Sequence, residues 1–104
     1  MRKGEVWWAK LPPPLGRRPV VLLSRDEAYT VRSAISVAEV TTRIRGIPVE
    51  VVLGPEDGLP KRCVANLDTI VTIRKELLIE RITILRNEKI EQIDAAIKFA
   101  LSIP

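Results

Sequence analysis

Gly16-Arg17-Arg18-Pro19-Val20-Val21-Leu22-Leu23-Ser24 is the stretch on which the fold turns. From Pro19 to Ser24 it is a continuous apolar run of strand length, which predicts a strand buried on both faces. The proline fixes the backbone at the strand's mouth, and the residues after it lock into a core. Arg18 would then sit with its guanidinium held rigidly at a sheet edge. The plain alternative is a pair of solvated loop arginines.

Outward from this run, the first two-thirds of the chain reads as strands. Glu5-Val6-Trp7-Trp8-Ala9-Lys10 is short and aromatic, and Leu11-Pro12-Pro13-Pro14-Leu15-Gly16 ends it with a stiff loop that cannot pair. Residues 33–42 alternate Ile35 and Val37 and then drift, which predicts a strand with a bulge. Residues 48–53 form another strand, closed by the turn signal Gly54-Pro55-Glu56-Asp57-Gly58. Cys63-Val64, residues 69–73 and residues 81–85 read as further short strands. The period then changes. Asn87 is a good N-cap, Glu88 lies in the positive first turn, and Ile90, Ile93, Ile97 and Leu101 recur at helical spacing beside Ala96 and Ala100. Six or so strands and one C-terminal amphipathic helix predict a mainly β fold, a small, strongly bent sheet or partial barrel with the helix packed on it. No repeat, linker or low-complexity stretch interrupts residues 1–104, so one compact domain is expected.

Composition narrows the function. The 104 residues are 46% apolar and 29% charged, too apolar for a disordered chain and too charged for a membrane protein. No run approaches the ~18 apolar residues of a spanning helix, and Met1-Arg2-Lys3-Gly4-Glu5 lacks a secretory apolar core, so a cytoplasmic address and no membrane partner are expected. There is no histidine, and Cys63 is the only cysteine. Cys/His zinc sites, Ser-His-Asp or Cys-His nucleophile systems and a disulfide framework are therefore excluded within one chain. No metal site and no cofactor are expected. Chemistry must run on Arg, Lys, Asp, Glu, Ser, Thr or backbone groups, an inventory that suits oxyanions better than acyl groups.

Charge points the same way. Residues 1–52 hold nine Lys/Arg against five Asp/Glu, whereas residues 53–104 hold eight of each, so the whole net charge of +4 lies in the first half. Most of it is arginine, whose planar fork matches phosphate as lysine does not. Two segments carry it. One is Arg17-Arg18; the other is Thr41-Thr42-Arg43-Ile44-Arg45-Gly46, two hydroxyls ending a strand and then two arginines. If the strand continues, Arg43 and Arg45 share a face, and hydroxyl plus guanidinium makes a phosphate cradle. Trp7 and Trp8 must face opposite sides of their strand. One belongs to the core; the other, with Trp8 as the candidate, could stack on a base. With only Tyr29 and Phe99 besides, a multi-base stacking platform is not expected.

Taken in order, these segments resemble the MazF/PemK/Kid-type toxins of bacterial toxin–antitoxin pairs. The likeness rests on the N-terminal Lys3-Gly4-Glu5-Val6-Trp7 strand, the Pro/Gly loop, Gly16–Ser24, the strand ending in Thr41, Pro48-Val49-Glu50-Val51, Cys63-Val64-Ala65-Asn66-Leu67-Asp68-Thr69-Ile70 and the closing helix. It implies an SH3-like, strongly bent small β-barrel with a C-terminal helix, a homodimer, and an acidic antitoxin partner. It also implies a metal-independent, sequence-specific endoribonuclease that cuts single-stranded RNA by attack of the ribose 2′-hydroxyl, leaving a cyclic phosphate and a 5′-hydroxyl. The family's catalytic arginine falls on Arg18 and its catalytic threonine on Thr41, with Thr42 one residue away as the second candidate. Arg17 occupies a neighbouring position that is basic in some members, and Asp68 matches an acidic position that lies near the RNA groove in some relatives. The loop before Arg17 is short and carries no carboxylate, and residues 69–74 lack the Gln, Arg and Asp common there, so groove contacts and the cleavage motif are not carried over.

Such a reaction takes its nucleophile from the substrate. The protein must hold the 2′-oxygen in line with the leaving 5′-oxygen and stabilise charge on phosphorus. Arg18 suits the second task, Thr41 can donate to a non-bridging oxygen, and Arg17, Thr42, Arg43, Arg45, Asp68 and Trp8 are candidate RNA contacts. Arginine is a poor base but a credible donor to the leaving oxygen; the proton acceptor stays open among Asp68, a phosphate oxygen and water. Two other readings compete: a non-catalytic SH3-like module binding RNA or an acidic peptide, and a purely structural partner domain.

Overall fold

A computed structural model describes all 104 residues. Its elements are β1 (Glu5–Lys10), β2 (Arg17–Leu22), α1 (Ala28–Val31), β3 (Ala34–Thr41), β4 (Glu50–Leu53), β5 (Cys63–Arg74), β6 (Leu78–Ile84) and α2 (Asn87–Ala100). The six strands form one curled antiparallel sheet in the order β4-β5-β3-β2-β1-β6, with β4 and β6 as its edges. Helix α2 packs on β4 and β5. This is the mainly β architecture with one C-terminal helix that the strand count predicts. No helix is long and apolar enough to cross a membrane.

The apolar run of β2 divides between two clusters. Val21 joins Ala38, Val40, Ala65 and Leu67 beneath Ile93 and Ala96 of α2. Val20 and Leu22 join Ile35, Val37 and Ile73 on the other face, with Tyr29 of α1 and the half-buried Trp7 against them. Val20, Val21 and Leu22 are fully buried, each worth about 1.5–3 kcal/mol of apolar transfer. Burial on both faces is thus alternation meeting a core on each side.

Several local expectations shift. Strand β2 is interior rather than at an edge, and it begins at Arg17, so Arg17 and Arg18 are themselves strand residues pointing to opposite faces. The bulge falls on β5, not β3. Ala38 pairs with Ile70 and Glu39 with Asn66, leaving residues 67–69 unmatched. That bulge is why the sequence shows two short strands where the chain forms one. Strand β3 stops at Thr41, so Arg43 and Arg45 lie on a loop. The four-residue α1 is too short to show a period; it is held by Tyr29 Oη donating to the Ser24 carbonyl at 2.9 Å.

At the helix start, the N-cap is Arg86 rather than Asn87, and no side chain caps the first turn. The anchor comes from elsewhere. The fully buried carboxylate of Asp57 accepts from Gly54 N–H at 3.0 Å and from Arg86 Nη2 at 3.3 Å, tying the 54–58 turn to the start of α2. Leu101 lies past the helix end and is exposed with Phe99 and Ile103, so the packed face is Ile93 and Ala96, flanked by Ile90 and Ile97.

Gly58 closes that turn in the left-handed region (φ +94°), and a Cβ there would stand 2.6 Å from Thr83 Oγ1 of β6. Gly58→Ala should therefore destabilise the fold by about 1–3 kcal/mol and lower Tm by several degrees. An unchanged melting curve would show that the turn accepts a side chain.

Candidate active site

Strands β2 and β3 stay in register only from Leu22↔Val37 to Val20↔Glu39. The next residue, Pro19, has no N–H with which to extend the ladder. Beyond it β2 continues beside β1 as far as Lys10↔Arg17, while β3 continues beside β5 to Thr41↔Val64. The two strands part, and a cleft of about 360 Å³ opens at their ends.

Alternation decides what faces it. Arg18 is in phase with Val20 and Leu22, and Glu39 and Thr41 with Ile35 and Val37, so all three side chains continue the face of the second apolar cluster. The loop after β3 brings in Arg43 and Arg45, and the bulged part of β5 adds Asn66 and Thr69; no apolar side chain lines the cleft. Three guanidinium groups thus face one carboxylate.

Arg18 is clamped on two sides. Its Nε donates to the Leu15 carbonyl at 3.2 Å and its Nη1 donates to Glu39 Oε1, leaving Nη2 without a partner in the chain. A guanidinium held by two of its donors keeps its plane fixed and offers the remaining edge to an anion. Thr41 Oγ1 accepts the Arg43 N–H at 3.1 Å, which leaves its own O–H free to donate outward. The loop is pinned by Glu50 at the start of β4, whose carboxylate accepts from Arg45 N–H at 3.0 and 3.2 Å and from Gly46 N–H at 2.8 Å.

The other candidate residues lie elsewhere. Arg17, on the opposite face, stacks over the half-buried Trp8 ring at 4.8 Å from its centroid. Trp8 and Thr42 line a smaller pocket of about 110 Å³ with Pro19, Leu59, Pro60 and Cys63, and Thr41 borders both spaces. Trp8 is thus reachable, with Arg17 resting on its ring. Asp68 is exposed and lines neither; its N–H donates to Asn66 Oδ1 at 2.9 Å. Cys63 is buried, and burial, with Asp57 and Glu56 nearby, pushes its thiol pKa up; it stays protonated and is no nucleophile.

Glu39, Asn66 and Thr69 were not among the expected site residues. Glu39 carries a sign of its own, a charge at an apolar-phase position of a buried strand, two residues before Thr41. Asn66 and Thr69 carry none, since only the register against β3 turns them inward.

Arg-clamped anion clefts on a small curled sheet narrow the class of protein, and comparison with known proteins sets it. The family model for the PemK-like, MazF-like toxin of type II toxin–antitoxin systems matches residues 2–101. The chain is 40% identical over 100 residues to a protein named probable endoribonuclease MazF5 of Mycobacterium tuberculosis, covering 95% of this chain and 91% of that one. Among solved structures, the M. tuberculosis toxin MazF-mt6 superposes with a TM-score of 0.89 at 27% identity, over 96% of this chain and 98% of that one. A mycobacterial endoribonuclease solved with its cognate antitoxin gives 0.87 at 25% identity, over 100% and 97% of the two chains. The chain belongs to the PemK-like, MazF-like toxin family.

If Glu50 is what holds the arginine loop, Glu50→Ala should speed amide exchange at Arg45 and Gly46 by about 10-fold or more, the scale of a lost charge-assisted hydrogen bond. Unchanged protection, read residue by residue by NMR, would remove Glu50 from that role.

Proposed function

We propose that this protein is an endoribonuclease toxin that cuts single-stranded RNA at specific sequences. In this reading the ribose 2′-hydroxyl attacks the adjacent phosphorus, giving a cyclic phosphate and a 5′-hydroxyl end, with no metal ion in the reaction. The observation that carries it is the clamped Arg18 across from the free hydroxyl of Thr41, in a cleft that Arg43 and Arg45 make positive. Family membership and the relatives named endoribonuclease support it.

Each part of the reaction has a group suited to it. Nη2 of Arg18 can take a non-bridging phosphate oxygen, and Thr41 Oγ1–H can donate to the same phosphate; both strengthen as charge builds on phosphorus. Arg43 and Arg45 hold flanking phosphates and set register. Trp8, Arg17 and Thr42, on the other side of Thr41, contact the neighbouring nucleotide, and Thr42 remains the second candidate for the catalytic hydroxyl. Asp68 lies farther out, where it can touch only RNA beyond the cleft. Because the chain's own cations stabilise the phosphorane, the reaction needs no divalent ion as a Lewis acid.

The rest of the reading follows the family. The protein acts in the cytoplasm as one domain over residues 1–104, as a homodimer to which the exposed Phe99, Leu101 and Ile103 would contribute apolar surface. A small acidic antitoxin silences it by covering the cleft, as charge complementarity favours and as the relative solved with its antitoxin suggests.

Arg18→Ala and Thr41→Ala should each lower RNA cleavage by at least ~10²-fold with a chelator present, the scale of a lost transition-state donor. Wild-type cleavage by both variants would refute the assignment. Salt-sensitive RNA binding without any cleavage, in the unmodified protein, would make this a binding module instead.

A further inference from the structure

The transesterification needs a proton acceptor at the 2′-oxygen, and the chain has no imidazole to supply it. Asp68 lies outside the cleft and exposed. Arg18, Arg43 and Arg45 are acceptors of nothing. One carboxylate remains in the cleft, that of Glu39, beside Thr41 on the same face of β3.

Its setting is that of a working group. The side chain is only 13% exposed and sits in phase with the buried Ile35 and Val37, so its position is set by the core beneath it. An unpaired carboxylate there would be costly, and Arg18 supplies the partner. The pairing occupies one oxygen. Oε1 takes the Arg18 Nη1 bond, while Oε2 has no partner in the chain and is not sealed from solvent. A carboxylate pair of oxygens can serve two partners at once. Glu39 can therefore hold Arg18 with one oxygen and meet a substrate hydroxyl with the other.

We propose that Glu39 is the general base of this active site, which rests on the 2′-attack reading above. As O2′ bonds to phosphorus, its proton passes to Glu39 Oε2. The P–O5′ bond breaks, its electron pair leaves on O5′, and O5′ takes a proton from solvent. Glu39 then returns its own proton to solvent, so one proton has moved in net from O2′ to O5′ and nothing is oxidised or reduced. Arg18, bonded to Glu39, simultaneously presents Nη2 to the phosphate. The ion pair thus aligns the base with the charge stabiliser.

The competing role is purely positional, with Glu39 acting only through Arg18. Glu39→Gln separates the two, because the amide oxygen still accepts from Arg18 in the same volume but takes no proton. Cleavage should fall by about 10²–10⁴-fold, the usual contribution of a positioned base. Affinity for an RNA carrying one 2′-deoxy residue at the cleavage site should stay within about threefold, and the melting curve should be retained. A substrate with sulfur in place of the bridging 5′-oxygen at the cleaved linkage then decides, since a thiolate leaves without protonation. If Glu39 is the base, the Glu39→Gln deficit persists on this substrate. If the deficit disappears, Glu39 acts on the leaving group through Arg18 and the proposal fails, as it does if Glu39→Gln cleaves ordinary RNA at the wild-type rate. Should Glu39→Gln not fold, Glu39→Ala with added formate takes its place: recovered cleavage supports the base, and none overturns it. Loss of activity in Arg18→Ala and Thr41→Ala alongside an active Glu39→Gln would sink this inference alone; activity in all three would sink the underlying reading.

Discussion

Pro19 withholds one N–H from the seam between β2 and β3, and the site depends on where that happens. Up to Val20↔Glu39 the two strands are ordinary sheet, with a core on either face. Two residues farther along β2 a side-chain ion pair, Arg18 with Glu39, spans the seam instead of a ladder bond. Each strand stays fixed to its outer neighbour, β1 or β5, so the opening is rigid. A cleft made this way has walls of sheet, and side chains rooted in walls of sheet hold geometry better than side chains on loops.

That rigidity matters because arginine is a long side chain with about 2 kcal/mol of rotamer entropy to lose. In Arg18 the loss is taken on folding, through bonds to Leu15 and Glu39, before any ligand arrives. The ion pair is only partly shielded, at 35% and 13% exposure for the two side chains, so its worth to stability is modest. Its consequence is orientation. Arg43 and Arg45 are exposed on a loop held mainly through Glu50; they suit the looser work of gripping a backbone.

The fold was largely legible in the sequence because its determinants are local. An apolar run at 19–24, a proline loop before it and a change of period after residue 86 each announce themselves within a few residues. The candidate site was half legible. Arg18, Thr41, Arg43 and Arg45 stand in segments whose composition marks them, and all four meet in one cleft. Arg17 and Arg18 share a segment, but only a strand that starts at residue 17 sends the two to opposite faces. Asn66 and Thr69 owe their placement to a bulge defined against β3, and no local pattern encodes a partner's register. Glu39 is obscured in another way: its alternation with Ile35 and Val37 is interleaved with Ala38 and Val40, which belong to the other core.

The absent histidine constrains the chemistry rather than forbidding it. In the reaction we propose, the nucleophile comes from the ribose, so the chain has to supply only cations for the phosphate and a proton acceptor, and the cleft holds three arginines and one carboxylate. The most direct measurement is the chemistry of the cut itself, made with a chelator present on two RNAs that differ only by a 2′-deoxy residue at the mapped cleavage site. The proposed reaction should give a 2′,3′-cyclic phosphate and a 5′-hydroxyl from the first by mass spectrometry, and no cleavage at that position in the second. Cleavage of the deoxy-substituted linkage, or a 5′-phosphate on the product, would contradict it.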